Sequence, residues 1–207
     1  MKVFVPITAK TVEEAIADIK EVKSSIADGL ELRLDYLSKI DLATLLYECG
    51  RFPVIVTNRH RDEGGYFQGR EEERISYLSR AAELGATYVD IEYRHRLPFD
   101  KKKSKLIISY HNFQETPANL REIYKKIVKA KPDIVKIVTR ANTEDDSKRM
   151  IRLIERARKP IIGICMGELG VSTRKHEWNY LTFAALNEEK RSAPGQLTLE
   201  EMLHSNN

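Results

Sequence analysis

The sequence predicts an α/β protein of the (β/α)8 barrel class, a compact TIM barrel. Eight short apolar or β-branched runs are spaced along the 207 residues, and a segment with helical apolar spacing lies in nearly every gap between them. Alternation of this kind is typical of a parallel sheet, and eight units favour a closed barrel over an open sheet. The length suits one domain, so we expect residues 1–207 to form a single barrel.

An open doubly wound sheet is the alternative architecture. Such a sheet usually carries a Gly-rich phosphate loop after its first strand. The segment after the first predicted strand, Ile7-Thr8-Ala9-Lys10, contains no glycine. The sequence therefore disfavours an open sheet with a dinucleotide site.

The predicted strands are short runs bounded by turn or capping residues, as expected for buried strands of a parallel sheet. Their ranges are residues 2–7, 30–35, 53–57, 87–92, 105–110, 133–138, 160–165 and 190–193. Residues 93–104 lie between two of these strands and show no convincing helix.

Capping and stop signals delimit the predicted helices. Thr11 and Glu14 form a capping box ahead of an apolar stripe, and Gly29 is the expected stop. Asp41 opens the second helix, and Gly50 lies just beyond it. The later signals are the stripe from Ile75 to Leu84 before Gly85, Thr116-Pro117 as a helix start, Asn142 or Thr143 as a cap, a helix containing Trp178, Leu181, Ala184 and Ala185, and Thr198 with Glu201.

Composition excludes several classes of protein. The chain is 42% apolar and 32% charged with a net charge of +4, which is typical of a globular protein and not of a disordered one. No apolar stretch approaches the ~20 residues that span a bilayer, so we expect no membrane segment. The densest basic run, Lys101-Lys102-Lys103 with Lys105, has no interleaved aromatic residues and predicts no nucleic-acid partner.

Cysteine usage and the N-terminus indicate the compartment. The two cysteines, Cys49 and Cys165, lie far apart and have no metal-binding spacing. The first residues lead directly into a strand, with no signal peptide. We therefore expect a cytoplasmic protein without a disulfide framework or a bound metal.

Polar residues collect at the predicted carboxyl ends of the strands, which is where barrel enzymes hold their active sites. Charged groups are almost never fully buried unless they are paired. The set therefore indicates either a binding site or a structural ion-pair network at the barrel mouth. Its members are Glu31, Arg33, Asp35, Thr57, Arg59, Glu63, Asp90, Glu92, His111, Lys136, Ser172 and Arg174.

Lys136 lies inside a β-branched run, Ile134-Val135-Lys136-Ile137-Val138. Burial disfavours the charged form of a lysine and can lower its pKa by up to ~3–5 units. A neutral lysine is a nucleophile that forms a Schiff base with a ketone. The alternative is a strand-end lysine whose ammonium reaches solvent.

Six stretches in order along the chain resemble the type I 3-dehydroquinate dehydratases, the Schiff-base-forming class of the shikimate pathway. They are Glu31-Leu32-Arg33-Leu34-Asp35, Thr57-Asn58-Arg59 with Glu63-Gly64-Gly65, Ser109-Tyr110-His111-Asn112-Phe113, the strand of Lys136, Met166 to Arg174, and Ser192-Ala193-Pro194-Gly195-Gln196. Two departures are Thr173, where serine is expected, and a longer segment between Phe183 and Ser192.

The resemblance implies a role for each site residue. Lys136 is the expected imine-forming lysine, His111 the general acid–base and Glu63 its orienting partner. Arg174 is the expected partner of the substrate carboxylate. The remaining expected substrate contacts are Glu31, Arg33, Arg59, Ser192 and Gln196, with Met166 and Phe183 as apolar walls.

The implied activity is that of a hydro-lyase that dehydrates 3-dehydroquinate to 3-dehydroshikimate with syn stereochemistry, on the route to chorismate and the aromatic amino acids. It requires neither a metal nor an organic cofactor. The family also suggests a homodimer, with Trp178 and Leu181 as candidate interface residues if they are not core. Two alternatives stay open: a class I Schiff-base aldolase on a TIM barrel, and a non-catalytic barrel that binds a small acid.

Overall fold

Eight parallel strands form one curved sheet in a computed structural model that describes residues 1–204. The order across the sheet is β7-β6-β5-β4-β3-β2-β1-β8, and every hydrogen-bonded pair is parallel. The strands are β1 Lys2–Ile7, β2 Gly29–Arg33, β3 Val54–Thr57, β4 Tyr88–Glu92, β5 Lys105–Asn112, β6 Ile134–Arg140, β7 Ile161–Met166 and β8 Leu181–Phe183.

Asn179 brings β7 and β8 together where the sheet nearly closes. Its side chain accepts a hydrogen bond from the Gly163 N–H at 2.7 Å and donates to the Gly163 carbonyl at 3.3 Å. The Tyr180 N–H donates to the Ile161 carbonyl at 2.8 Å. A side chain thus supplies bonds that a continuous strand ladder would make, and the predicted barrel architecture is confirmed in this nearly closed form.

Helices follow most strands and pack outside the sheet. They are α1 Val12–Ser24, α2 Leu42–Cys49, α3 Glu71–Glu83, α4 Leu120–Lys129, α5 Glu144–Arg156, α6 Val171–Arg174 and α7 Leu199–His204. Thr11 and Asp41 cap α1 and α2, and Thr143 forms a capping box with Asp146 at the start of α5. The predicted absence of a helix from 93–104 is confirmed. Within the described chain, no helix is long and apolar enough to cross a bilayer.

Two apolar clusters stabilise this architecture. The larger one lies between the sheet and the helices and includes Ile19, Leu45, Leu78 and Ile127. The smaller one fills the barrel interior with side chains from several strands, which are Phe4, Ile55, Tyr88, Ile107, Ile134, Val138, Ile162, Ile164, Met166, Leu181 and Phe183. Because this apolar cluster fills the barrel interior below the strands' carboxyl ends, the polar side chains of the interior are confined to those ends.

The prediction for the last strand is wrong. Residues 188–190 form a 3-10 helix, and β8 instead lies at Leu181–Phe183, where a helix was expected. Trp178 is 59% exposed whereas Leu181 is fully buried. The apolar residues of this segment have helical spacing, but pairing with β1 places Leu181 opposite Lys2 and Phe183 opposite Phe4. A strand of three residues is too short for its sequence to show the alternation of a β-strand reliably.

Three predicted boundaries also differ. α1 ends at Ser24, and Gly29 begins β2 instead of stopping the helix. The predicted second strand ends at Arg33 and continues as a 3-10 helix, Leu34–Tyr36. Thr116 does not cap α4, because its hydroxyl group hydrogen-bonds the Arg140 carbonyl and lies 2.8 Å from the Thr139 hydroxyl. The helix begins three residues after Pro117, at Leu120.

Candidate active site

A cavity of about 240 Å³ opens at the carboxyl ends of the strands. All eleven site residues predicted from the sequence line it. They are Glu31, Arg33, Arg59, Glu63, His111, Lys136, Met166, Arg174, Phe183, Ser192 and Gln196. A larger groove of about 660 Å³ lies outside the barrel against α4 and α5, but its lining has neither a carboxylate nor a histidine.

Lys136 is buried on β6, and its ammonium group contacts two carboxylates. Its Nζ atom lies 2.9 Å from Asp90 Oδ2 and 3.3 Å from Glu31 Oε1. The same atom lies 4.5 Å from the centre of the Phe183 ring. The nearest charged partners of this ammonium group are therefore acidic. The alternative of a lysine that reaches solvent is wrong, because the residue is only 4% exposed.

Asp90 connects Lys136 to a buried ion-pair network. Its carboxylate accepts hydrogen bonds from Arg59 Nη1 at 3.2 Å, Arg59 Nη2 at 3.1 Å and the Ser109 hydroxyl at 2.6 Å. Burial acts to raise the pKa of Asp90, but the charges of Arg59 and Lys136 outweigh it and hold the pKa well below its ordinary value. Asp90 is therefore an anion that compensates two buried cations.

Arg59 extends this network to Glu92. Its Nη1 atom lies 2.9 Å from Glu92 Oε1, and the other Glu92 oxygen accepts from Arg74 Nη1 at 2.7 Å. Both terminal nitrogens of Arg59 are thus engaged with protein carboxylates, although the side chain also lines the cavity. The geometry gives Arg59 an evident role in positioning Asp90 and Glu92, beyond the substrate contact predicted from the sequence.

His111 and Glu63 form a pair across the cavity wall. The Nδ1 atom of His111 lies 2.9 Å from Glu63 Oε2, and the backbone N–H of His111 donates to the same oxygen at 2.9 Å. Burial, together with the charges of Arg59 and Lys136, lowers the pKa of His111 well below its ordinary value. Burial raises the pKa of Glu63 to about 7. With Glu63 ionised, Nδ1 must carry the donated proton, which leaves Nε2 with a free lone pair.

Strand register places His111 near Lys136. Ser109 on β5 pairs with Lys136 on β6, and His111 pairs with Val138. His111 is two residues beyond Ser109, and side chains two apart share one face of a sheet. The nucleophile candidate and the acid–base candidate therefore lie on the same face of adjacent strands.

Arg174 is a buried cation without a carboxylate partner among residues 1–204. Its Nη2 atom has one long contact, 3.4 Å to the Pro194 carbonyl, and its buried Nε atom has no hydrogen-bond partner in the described chain. Burial lowers the pKa of Arg174 to about 10. A guanidinium with unused donors facing a cavity is prepared to receive an anion.

The segment 192–196 forms a closed turn over one side of the cavity. The side-chain oxygen of Gln196 accepts hydrogen bonds from the Ser192 N–H at 2.6 Å and the Ser192 hydroxyl at 3.0 Å. The Gly167 N–H donates to the Pro194 carbonyl, and a Cβ atom on Gly195 would lie 2.4 Å from the Gly167 carbonyl oxygen. Close backbone contact with the end of β7 therefore requires glycine at 195.

Comparison with known proteins identifies the family. The family model for type I 3-dehydroquinase matches residues 3–205. The chain belongs to the type I 3-dehydroquinase family.

Relatives and solved structures in this family match nearly the whole chain. The 3-dehydroquinate dehydratase of Pyrococcus abyssi is 38% identical, over 95% of this chain and 93% of the relative. A crystal structure of type I 3-dehydroquinate dehydratase from Clostridium difficile, with covalently modified comenic acid, is 26% identical with a TM-score of 0.86. That match covers 98% of this chain and 89% of the other.

One relative is much longer than this chain. The bifunctional chloroplastic 3-dehydroquinate dehydratase/shikimate dehydrogenase of Arabidopsis thaliana is 36% identical over 96% of this chain. The chain spans 35% of that protein's length.

Sequence reasoning missed several residues of this 3-dehydroquinase site. Tyr36 and Tyr66 line the cavity with their rings 4.8 Å apart edge to face, and Phe113 lies at its rim. Tyr36 and Tyr66 directly follow motifs of the family resemblance and Phe113 ends one, which was the available signal. Asp90 was noted as a strand-end residue without a role. Its contact with Lys136 runs from β4 to β6, across β5, and depends on the curvature of the barrel.

Proposed function

We propose that this type I 3-dehydroquinase acts as a 3-dehydroquinate dehydratase, a hydro-lyase of the shikimate pathway, through a Schiff base on Lys136. One observation carries the proposal: Lys136, the His111–Glu63 pair and Arg174, which has no carboxylate partner in the described chain, line one small cavity. Together they supply an amine, a proton-transfer group and a carboxylate receptor. We further propose that residues 1–207 act as a single catalytic domain.

The first step is attack of the Lys136 amine on the C3 ketone of 3-dehydroquinate, with loss of water to form an imine. The protonated imine carries the same positive charge as the ammonium group it replaces. Asp90 and Glu31, which contact Lys136 Nζ, are therefore placed to stabilise that charge. The cationic imine withdraws electrons and makes the adjacent C2 proton more acidic.

His111 then acts as base and acid in turn. Its neutral form has a lone pair on Nε2 that accepts the C2 proton, and Glu63 holds the ring through Nδ1. The same nitrogen returns this proton to the C1 hydroxyl group as water leaves. One histidine can serve both groups only from one face of the substrate, so the elimination is syn. Hydrolysis of the imine releases 3-dehydroshikimate and restores the amine.

Substrate orientation comes from the remaining cavity residues. Arg174 donates hydrogen bonds to the substrate carboxylate from its guanidinium group, whose Nε atom has no other partner in the described chain. The turn holding Ser192 and Gln196 contacts the hydroxylated ring, and Met166 and Phe183 form apolar walls. Glu31, Arg33 and Arg59 complete the polar side, with Arg59 also positioning the carboxylates of Asp90 and Glu92. The substrate is the only bound molecule that this mechanism requires.

Hydride trapping tests the proposed function. Borohydride added during turnover of 3-dehydroquinate should leave one reduced adduct, which peptide mass spectrometry places on Lys136. The Lys136→Ala variant should neither turn over the substrate nor form the adduct, whereas Lys105→Ala, at the start of β5, should do both. An adduct on another lysine, or turnover by Lys136→Ala, would refute the mechanism. Turnover of a phosphorylated ketose instead would favour the aldolase alternative.

Localisation and assembly are further parts of the proposal. Cys49 and Cys165 are free and buried, which supports a reduced cytoplasmic compartment. A homodimer is supported by Trp178, which exposes a large apolar surface, whereas Leu181 is core and unavailable. Light scattering of the intact chain at micromolar concentration should give the mass of two chains, and a monomer mass would contradict this.

A further inference from the structure

Two stacked histidines and an aspartate lie beside the barrel mouth, outside the catalytic cavity. The His60 and His95 rings are 3.6 Å apart and nearly parallel, at 5°. Asp62 Oδ2 lies 3.8 Å from His60 Nδ1 and 3.4 Å from His95 Nε2. One ligand atom from each of the three residues falls within 4.8 Å of the others. The proposed dehydration uses none of these side chains.

We propose that His60, Asp62 and His95 form a binding site for a divalent transition-metal ion of the zinc class. Two imidazoles and one carboxylate are ligands that Zn²⁺ accepts, with metal–ligand bonds of about 2.0–2.2 Å. A tetrahedral ion with such bonds separates its ligand atoms by roughly 3.3–3.5 Å. The observed separations of 3.4 and 3.8 Å are close to those values. Because each lone pair lies in its ring plane and the planes are parallel and 3.6 Å apart, at least one ring must rotate about its side-chain torsions to direct both lone pairs onto one ion.

The backbone around the site is held in place. The His60 N–H donates to Glu92 Oε1 at 3.1 Å, and the His95 carbonyl accepts from Arg74 Nη2 at 3.0 Å. Glu92 and Arg74 are joined to each other by a 2.7 Å ion pair. The two histidines thus come from different loops that share one buried network, so the backbone needs little ordering on binding.

Charge and exposure also suit a cation with an open position. Asp62 is 69% exposed on its side chain, so solvent can complete the coordination. Glu71 Oε2 lies 3.9 Å from His60 Nε2 and adds negative charge nearby. The Asp62 backbone N–H donates to His60 Nδ1 at 3.1 Å. When an ion takes that lone pair, the N–H can hydrogen-bond water instead. Sites that are rich in nitrogen ligands bind Zn²⁺ in strong preference to Mg²⁺ or Ca²⁺.

The location links the ion to the catalytic cavity. Asp62 belongs to the 3-10 helix Arg61–Glu63, and Glu63 holds His111. His60 directly follows Arg59, which holds Asp90. An ion at this site would therefore fasten the loop that positions two cavity residues, and should raise the stability of the protein.

The test is metal binding by the intact chain without a polyhistidine tag. After treatment with a chelator, Co²⁺ is titrated and followed by its d–d absorption, and Zn²⁺ by calorimetry. We expect one ion per chain and a rise in Tm with Zn²⁺. His95→Gln and Asp62→Asn should each weaken binding roughly tenfold or more, since even second-shell partners cost ~10–100-fold.

Two variants serve as controls. His176→Gln removes a histidine beside Glu155 on another face, and His111→Gln removes the histidine of the cavity. Both should bind metal like the unmodified chain, and a loss in His111→Gln would place the ion in the cavity and overturn the proposal. Unchanged binding by a folded His95→Gln variant, or no binding by the unmodified chain at micromolar metal, would overturn it as well.

Discussion

The Nζ atom of Lys136 lies 2.9 Å from Oδ2 of Asp90, and the same carboxylate holds both terminal nitrogens of Arg59. Lys136 and Arg59 are buried, so their positive charges have no solvent to stabilise them. The stability of this part of the cavity therefore depends on Asp90, which compensates both cations. This dependence can be measured separately from activity.

We expect Asp90→Asn to lower the free energy of unfolding by about 3–5 kcal/mol, because Lys136 and Arg59 each lose one of their carboxylate partners. Asp145→Asn is the matched control, since Asp145 pairs with Arg149 and Arg152 on an exposed helix face. That change should cost at most about 1 kcal/mol. Urea unfolding of both variants checks the difference, and equal losses would contradict it.

The two buried arginines of the cavity should respond oppositely to replacement by methionine. Arg59→Met should cost about 3–5 kcal/mol, because Asp90 and Glu92 each lose one of their two cationic partners. Arg174→Met removes a buried charge that has no carboxylate partner in the described chain, and should leave stability unchanged or raise it by about 1 kcal/mol.

Steady-state kinetics provides a second test of the role of Arg174. Arg174→Met should raise KM for 3-dehydroquinate by about tenfold or more, since a lost charge-assisted pair costs roughly 1.5–3 kcal/mol. Thermal unfolding and steady-state rates on one preparation provide both measurements. A destabilised Arg174→Met variant, or one with an unchanged KM, would show that Arg174 has an undetected structural partner.

Loss of His111 should separate imine formation from dehydration. The amine of Lys136 remains in the His111→Ala variant, so borohydride should still trap the substrate on the chain. Dehydration should slow by about 10²–10⁴-fold, the range for a lost general acid–base. The control His176→Ala, which lies outside the cavity, should turn over normally. Near-normal turnover by His111→Ala would remove that residue from its role.

The pH dependence of the reaction follows from the pKa values of His111 and Glu63. Burial and the nearby charges of Arg59 and Lys136 favour the neutral ring, so the base form persists below the ordinary value of 6.5. Glu63 must be ionised to hold the ring through Nδ1, and burial raises its pKa to about 7. The rate of C2 proton removal should therefore fall as the pH drops through about 7, where Glu63 gains a proton while His111 itself stays neutral. Single-turnover rates with substrate deuterated at C2 check this, and a rate that is unchanged across that range would contradict it.

Much of the architecture could be predicted because strand and helix signals are local. β1 matches its predicted range, and most other strands agree within one or two residues. β8 could not be found in this way. It has three residues, and its existence depends on pairing with β1 at the other end of the chain. No local pattern reports such a contact.

The sequence by itself predicted which residues line the cavity, through its family motifs and because a parallel barrel brings the strand carboxyl ends to one rim. All eleven residues expected from the family resemblance line the cavity. The tertiary structure alone decided how those charges are paired. Arg59 and Arg174 look equivalent in the sequence, yet one is held by two carboxylates and the other by none in residues 1–204. Pairing depends on distances between strands far apart in the chain, which curvature and register set after folding.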